Sequence, residues 1–538
     1  MRAIGAALHV VPQPGHPPRV VAPRASPTAV LAAACGILFL IGVNTTAINT
    51  ALNGIAADLE MGTGELAWSV GIYLLAVAAF VLLGGRLGDL FGERAMILAG
   101  LAIYGLGAVL VAIADTGLII IAGRAVQGLG GAVLMPATMA VQRIAYPPER
   151  QGLALGVWGA VGGAAFALGP LIGGAFTDTI GWRWIWWATL IAAACLALAA
   201  LTVMRAMPRP SERPRFDWPG IVLLPVALFG LILAIQQGPS WGWGSVPTIA
   251  AFAVSLAAFV ALVVVERRRE VAGRDPMLHL GLLRTRELLG ANIGTFANAV
   301  TLIGVLFFFN LYAQSAFTLD ESALVASVEL LPYGGAMFIA SLLIGPVCDR
   351  VGFRWPIAAG LALMGLGGIL TAEIDVGDGY GSLWWPTAIL GVGVGVTFSQ
   401  PSAAGLRSVP AEKAGEASGI INVARYIGAG LAISIGSVTF ITVASDDLGD
   451  ARAAAGLPGA ERTTLDQTLT EASADVESIE RNLDRRERAA LRASAPTAVV
   501  DGFAAVMRGL GIFMLACAAV WIGLMRPRHA AAPGAAAR

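Results

Sequence analysis

The stretch GRLGDLFGER at residues 85–94 lies between two long apolar segments of the chain. Its glycines permit a tight turn between two helix ends, and its aspartate can cap a helix N-terminus or pair with a neighbouring arginine. A related stretch, GPVCDRVGFR, recurs at residues 345–354, again between apolar segments. A simple turn needs no second copy. We therefore predict a hinge or gate in each half of the chain, formed by Gly85, Asp89, Gly92 and Arg94 and by Asp349 and Arg354.

The composition is that of an integral membrane protein. Of the 538 residues, 57% are hydrophobic and only 13% are charged, and the mean hydropathy is +0.75. The formal net charge of zero gives no reason to expect a nucleic-acid partner. The four cysteines lie far apart, and the sequence contains no recognisable P-loop, metal-ligand cluster or nucleophile triad. We therefore expect no enzyme activity, no metal and no cofactor.

Apolar segments long enough to cross a bilayer recur along the whole chain, which predicts an all-α polytopic membrane protein. We count fourteen spans, at residues 28–52, 67–87, 95–114, 117–140, 152–174, 183–206, 218–237, 247–266, 288–313, 323–347, 355–373, 384–406, 417–443 and 502–525. Residues 1–27 and 526–538 are predicted to be tails, the first of them disordered because it is rich in proline and lacks an apolar core.

The positions of the arginines agree with this count, because cytoplasmic connections collect positive charge. Most arginines lie in the tails or after even-numbered spans, for example Arg150, Arg205 and Arg267–Arg269. The short connections on the other side carry Arg183 and aspartates such as Asp58. We predict a multi-pass protein of the cell (inner or plasma) membrane, with the bilayer as a partner and with both termini in the cytoplasm.

Internal repetition divides the chain into two copies. Residues 149–156 (ERQGLALG) match residues 412–419 (EKAGEASG) at an offset of 263, and the two hinges match at an offset of 260. We predict six-helix bundles at residues 28–206 and 288–525, with two inserted helices in the linker 207–287. Paired bundles around a midplane cavity are typical of transporters that work by a rocking motion.

The motifs resemble those of a known family. The stretch at 85–94 resembles the signature turn of the major facilitator superfamily, and Arg124, Gln127, Gly128 and Gly131 resemble its R-x-x-Q-G-x-G motif. The glycine-rich motif that this family associates with antiporters is matched in the fifth span by Gly159, Gly163, Gly169, Pro170, Gly173 and Gly174. With TTAINTAL in the first span and WRWIW in the sixth, the chain looks like a 14-helix drug:proton antiporter.

Polar residues inside the spans are candidates for the cavity, because a charge within a membrane helix is costly unless it faces a partner or water. Thr45, Asn49 and Asn53 form one stripe on the first span. Asn44 stands where the resemblance implies a proton-coupling aspartate, and asparagine cannot titrate. Glu329 is the one carboxylate that the sequence places clearly inside a span. The candidates for cavity or coupling residues are Asn44, Thr45, Asn49, Arg124, Gln127, Glu329 and Arg425.

The outer connection at residues 444–501 is much longer than the others. Apolar residues recur three and four apart from Leu465 to Leu483, which predicts an amphipathic helix. We expect this segment to be a lid or packing element; the alternative is a docking site for an accessory protein.

Together these features predict a secondary transporter that exports amphipathic or apolar small molecules by proton antiport. One alternative is a metabolite facilitator or importer without proton coupling. A second, from another class, is a membrane sensor or scaffold that does not transport.

Overall fold

The computed structural model describes residues 26–61, 63–205, 217–274, 276–315, 317–321, 323–454 and 485–525. Within these ranges the secondary structure is helical and contains no strand. The sixteen α-helices are α1 Pro27–Leu59, α2 Thr63–Phe91, α3 Glu93–Ala112, α4 Gly117–Ala145, α5 Gln151–Thr179, α6 Arg183–Val203, α7 Trp218–Trp241, α8 Val246–Val271, α9 Arg286–Gln314, α10 Ala323–Glu329, α11 Leu331–Val351, α12 Arg354–Thr371, α13 Tyr380–Thr397, α14 Gln400–Arg407, α15 Ala414–Ala454 and α16 Arg485–Leu524. Three short 3₁₀ turns join them, at Pro148–Arg150, Leu282–Arg284 and Ala411–Lys413.

Helices long and apolar enough to cross a membrane number fourteen in the described part of the chain, which confirms the predicted count. Several begin with capping chemistry that the sequence shows, since Ser26, Asp217 and Ser245 each accept a backbone N–H of the first turn and each precedes a helix with an early proline. Two spans are broken rather than continuous. One breaks at Leu330, between α10 and α11, and the other between α13 and α14, in both cases shortly before a proline.

The helices form two six-span bundles and one inserted pair. Bundle 1 contains α1–α6 and bundle 2 contains α9–α16. The bundles meet along two seams, where α2 packs on α15 and α5 packs on α11. The inserted helices α7 and α8 pack on each other, and α7 lies against both α2 and α15. The insert therefore covers one of the two seams.

Helices extend into the predicted outer connection, residues 444–501, from both ends. Helix α15 continues to Ala454, and α16 already begins at Arg485. A search for apolar residues misses such extensions because a helix that leaves the bilayer becomes polar without ending. The amphipathic segment from Leu465 to Leu483 and most of both tails lie outside the described residues.

We call the end of the molecule that carries the turns 85–94 and 345–354 the motif face. The other end, which carries Asp58, Arg183, Glu373 and Arg508, is called the opposite face.

Candidate functional site

The first gate lies on the motif face, where α2 turns into α3. Gly92 has φ +88°, a conformation that favours glycine and allows the sharp reversal between the two helices. The turn presents Asp89 to the first residues of α15 in bundle 2. Its carboxylate oxygens accept the backbone N–H groups of Gly415 at 2.8 Å and Glu416 at 2.7 Å. Asp89 therefore caps the N-terminus of a helix that belongs to the other bundle.

The second gate repeats this arrangement in the other direction. Gly352, at φ +84°, forms the turn between α11 and α12. Asp349 accepts the N–H groups of Gly152 at 3.0 Å and Leu153 at 2.9 Å, and thereby caps α5 of bundle 1. It also forms an ion pair with Arg407 of its own bundle. Each bundle thus caps the N-terminus of one helix in the other bundle.

Close backbone approach makes both caps possible. A Cβ atom on Gly85 would lie 2.1 Å from the carbonyl oxygen of Gly415, and one on Gly345 would lie 2.5 Å from that of Gly152. Any larger side chain at these positions would push the bundles apart. The glycines of the two hinges are therefore required by the contact between bundles as well as by the turns.

Of the two roles predicted for the hinge aspartate, the structure shows the helix cap, and Asp89 also interacts electrostatically with Arg86, whereas Arg94 and Arg354 have other partners. Arg94 donates to the carbonyl oxygen of Leu201 at 3.1 Å, and Arg354 donates to that of Ile522 at 3.1 Å. Both carbonyls belong to the last turns of helices in the same bundle, whose C-terminal groups attract positive charge. The arginines fasten α3 to α6 and α12 to α16, so they strengthen each bundle and do not bridge the two.

A buried polar cluster lies inside bundle 1 around Arg124, which is fully buried in α4. One guanidinium nitrogen, Nη1, donates to Asn44 Oδ1 at 2.8 Å and to Gln127 Oε1 at 3.1 Å, and Nε donates to the carbonyl oxygen of Ser69 at 3.3 Å. The guanidinium also lies 4.3 Å from the ring centre of Tyr73. The structure therefore brings three of the predicted site residues together.

Other polar groups complete this cluster, which joins α1, α2, α4 and α6. Asn44 donates to Thr189 at 3.0 Å, and the indole of Trp186 donates to Gln127 at 3.3 Å. Thr45 donates to the Ile41 carbonyl oxygen and to the Tyr73 hydroxyl. Asn49, one turn further along α1, is exposed. Asn44, Arg124 and Gln127 are buried within bundle 1, and their role as cavity or coupling residues stays a prediction.

Bundle 2 has a different polar core. Asn298 donates to the Val394 carbonyl oxygen and to Thr397 Oγ1, both at 2.9 Å. Arg425 donates to the carbonyl oxygen of Phe398 at 3.2 Å and lies over its ring at 5.0 Å. The Phe398 ring in turn lies 6.4 Å from that of Trp158 in α5, so Arg425 is linked to the interface between the bundles.

Glu329 lies apart from both cores, at the end of α10. Only 9% of the residue is exposed, and its Oε2 atom is buried without a hydrogen-bond partner among the described residues. The hydroxyl of Tyr380, at the start of α13, donates to the Glu329 carbonyl oxygen at 2.6 Å. None of the contacts that we describe connects Glu329 with Arg124.

The glycines of α5 serve two contacts. Gly159 and Gly163 approach side chains of bundle 2, whereas Gly169 and Gly173 approach α1 of their own bundle. Gly174 has open space at the position of a Cβ atom among the described residues. Pro170 lies inside the helix. Most of this motif is explained by close helix packing.

Sequence reasoning missed several residues of the gates, namely Arg407, Glu416 and His279. A signal for part of the site was present, because the repeated segments 149–156 and 412–419 turn out to contain the two capped helix starts. The search of the described residues finds no group of three or more metal-binding side chains.

The contacts between the bundles concentrate on the motif face. Every hydrogen bond that we describe between α1–α6 and α9–α16 involves the motif-face halves of these helices, including Ser341 to Gly156, Ser418 to Pro136 and Arg143 to Val409. Two bundles closed at one face by reciprocal caps define a two-bundle membrane transporter.

The chain belongs to the Major Facilitator Superfamily, whose family model matches residues 34–433. It is 30% identical over 433 residues to the tetracenomycin C resistance and export protein of Streptomyces glaucescens, covering 80% of this chain and 78% of that protein. It is 32% identical over 413 residues to a cephamycin export protein of Amycolatopsis lactamdurans, covering 76% and 84%.

Solved structures support the fold. The human organic anion transporter of this superfamily matches with a TM-score of 0.59 at 12% identity, covering 94% of this chain and 100% of that one. The fucose:proton symporter of E. coli matches with a TM-score of 0.53 at 14% identity, covering 91% and 99%. The major facilitator fold, with two bundles and an inserted pair of helices, is therefore established, and the protein is a multi-pass membrane transporter.

Proposed function

We propose that this protein exports amphipathic or apolar small molecules, such as antibiotics, across the cell membrane by proton antiport. The observation that carries the proposal is the reciprocal capping of α15 by Asp89 and of α5 by Asp349. A carboxylate at a helix N-terminus is stabilised by unpaired N–H groups and by the helix dipole. These contacts exist only while the motif face is closed, so the bundles must break them in order to rock.

Under this proposal the motif face is cytoplasmic. The arginine-rich connections after even-numbered spans support that orientation, in which both termini are cytoplasmic. The structure then represents the state that is closed toward the cytoplasm. Relatives that export tetracenomycin C and cephamycin support an outward direction of transport.

Proton coupling needs a group that binds a proton in one state and releases it in the other. Asn44 accepts a hydrogen bond from Arg124 but cannot do this, so bundle 1 offers no carboxylate at its polar centre. Glu329 is our candidate, because one of its carboxylate oxygens is buried without a partner in the described part of the chain. Arg124 and Arg425 then stabilise the bundle cores and tune the electrostatic field of the substrate path.

The absence of a carboxylate at residue 44 favours one alternative, a facilitator or importer without proton coupling. The test is substrate accumulation in everted membrane vesicles with an imposed pH gradient. We expect a dye or antibiotic to accumulate when the vesicle lumen is acidic and to be released when the gradient is collapsed. Transport that only equilibrates the substrate, with or without the gradient, would support the facilitator.

A further inference from the structure

The inserted helices are fastened to the seam between the bundles. Ile232 of α7 packs beside Leu75 and Ala78 of α2, and Tyr426 of α15 lies against the same group. Ser434 of α15 donates to the Ile235 carbonyl oxygen of α7 at 2.7 Å. The insert therefore contacts both of the helices that separate when the motif face opens.

A short segment after α8, residues 276–279, extends from the insert to the first gate; we call it the latch segment. Helices α7 and α8 and the residues beside them hold the N-terminal end of this segment. The N–H of Met277 lies 3.1 Å from Asp217 Oδ2 and 3.0 Å from Glu266 Oε2, and both carboxylates are buried. Arg269 pairs with Asp217 at 3.1 Å. These groups fix the direction in which the segment leaves the insert.

The latch segment then contacts both bundles. Arg86 of bundle 1 donates to the Pro276 carbonyl oxygen at 3.1 Å. His279 donates its backbone N–H to Glu416 Oε1 of bundle 2 at 2.6 Å, and its ring Nδ1 lies 2.8 Å from Glu416 Oε2. Glu416 is fully buried, and Arg86 lies 4.0 Å from the same carboxylate.

Glu416 connects the latch segment to the gate itself. Its side chain receives the latch, and its backbone N–H is the group that Asp89 caps at 2.7 Å. Opening the motif face moves Arg86 and Asp89 away from Glu416. When the bundles separate, the latch segment cannot stay bonded to both, so its contact with Arg86 or its contact with Glu416 must break.

We propose that the inserted helices act as a latch on the first gate, with His279 as the positioning residue that holds Glu416 in the closed state. This inference rests on the proposed alternating-access function. The bond from His279 is charge-assisted because its acceptor is a carboxylate, and it adds to the free energy that keeps the motif face closed. The second gate has a different support, since Asp349 pairs with Arg407 of its own bundle.

The test measures how often the gate opens, independently of any substrate. In a variant without the native cysteines, Ser418→Cys places a thiol at a fully buried site between the bundles beside α4. Its rate of reaction with a maleimide reports the open fraction. Adding His279→Ala should raise this rate about tenfold, the size expected from one charge-assisted hydrogen bond. His279→Asn should restore the slow rate, because its side-chain nitrogen occupies the place of Nδ1.

Two further thiols separate a latch from local loosening. Ser341→Cys reports on the seam at the second gate, where Ser341 is buried and bonded to Gly156. In His279→Ala, the reaction of this thiol with the maleimide should also become faster, because the bundles move as units. Ala193→Cys, buried within bundle 1, should not change. Glu416→Gln should speed both gate thiols, and combining it with His279→Ala should add little more.

An unchanged rate at residue 418 in His279→Ala would overturn the latch, and so would failure of asparagine to restore the slow rate or acceleration at residue 418 alone. The proposed function fails separately. If the native chain moves no substrate but the gate thiols respond as expected, the latch stands and the export assignment is wrong. If export is normal but the thiols do not respond, the reverse holds.

Discussion

The two gate aspartates have different surroundings. Asp89 of bundle 1 lies among further carboxylates, and Asp349 of bundle 2 lies against an arginine. Asp89 interacts electrostatically with Glu416 and Glu93, and the nearest compensation comes from Arg86 and from the latch segment. Asp349 forms its own ion pair with Arg407, whose guanidinium also lies 4.6 Å from the Phe353 ring centre. The same helix cap is therefore supported from outside the bundle in one case and from within it in the other.

The polar cores differ as well. In bundle 1, the buried Arg124 donates to a neutral amide, Asn44. The hinges repeat at an offset of 260 residues, so Glu329 of bundle 2 is equivalent in sequence to Ser69 of bundle 1. Ser69 uses its carbonyl oxygen to hold Arg124, and Glu329 uses its own to hold Tyr380. Duplication has preserved the scaffold, and the two copies have taken different charges. We infer that the two bundles have different roles in transport, with the candidate for proton coupling in bundle 2.

The largest effect is expected when Glu329, the buried carboxylate at the end of α10, is neutralised. Glu329→Gln keeps the shape of the side chain but cannot titrate, so uphill transport driven by a pH gradient should be lost while downhill exchange of substrate persists. Asn44→Asp, added to this variant, should partly restore coupling by placing a titratable group beside Arg124. Accumulation in everted vesicles measures both. Full uphill pumping by Glu329→Gln would exclude this carboxylate as the coupling group.

The second-largest effect is expected at the second gate, where Arg407 supports Asp349 from within the same bundle. Asp349→Ala removes the cap of α5 and leaves Arg407 without its carboxylate, which should weaken the closed state by about 3 kcal/mol. Transport should fall about a hundredfold, since 1.4 kcal/mol corresponds to a factor of ten. Val347→Ala, an exposed change on the same helix, is the control. Equal transport by the two variants would contradict a gating role.

Asp89→Asn should have a smaller effect. Asparagine still offers one oxygen to the helix start of α15, and it relieves repulsion from Glu416 and Glu93. We expect a loss of about 1 kcal/mol and a severalfold decrease in transport, with normal amounts of protein in the membrane. Transport and membrane insertion are measured together. If Asp89→Asn is as damaging as Asp349→Ala, the proposed difference in support between the gates is wrong.

The smallest effect is expected at the opposite face, where bundle 1 pairs Asp58 with Arg183 and bundle 2 pairs Glu373 with Arg508 at 3.4 Å. The hydrogen bond from Arg183 lowers the pKa of Asp58. A lowered pKa in the folded state stabilises the protein above the unfolded pKa, and this contribution is lost as the pH falls through the folded value. Both side chains are more than one third exposed, so it amounts to less than about 0.5 kcal/mol.

Thermal unfolding of Asp58→Asn checks this estimate. The midpoint should fall by no more than about 2 °C at pH 7, and the difference from the native chain should shrink at pH 3. A larger decrease at pH 7 would indicate that the opposite face contributes to stability more than its exposure suggests.

The helical spans and the duplication could be predicted from the sequence, because both depend on the local order of residues. The breaks at Leu330 and between α13 and α14 were missed, although prolines follow both. The partners of Asp89 could not be predicted, because Gly415 and Glu416 lie more than 300 residues away in the chain. The sequence allowed both a helix cap and a nearby arginine, and which helix start Asp89 caps is visible only when the fold brings the two together.

Seen from the surrounding lipid, the protein has two unequal sides. Helix α7 lies across the seam between α2 and α15, whereas no helix from outside the bundles is seen to pack across the seam between α5 and α11 in the described part of the chain. A hydrophobic compound dissolved in the bilayer therefore meets α7 before it reaches the bundle boundary at the first seam. The inserted helices give a nearly two-fold symmetric molecule a front and a back within the plane of the membrane.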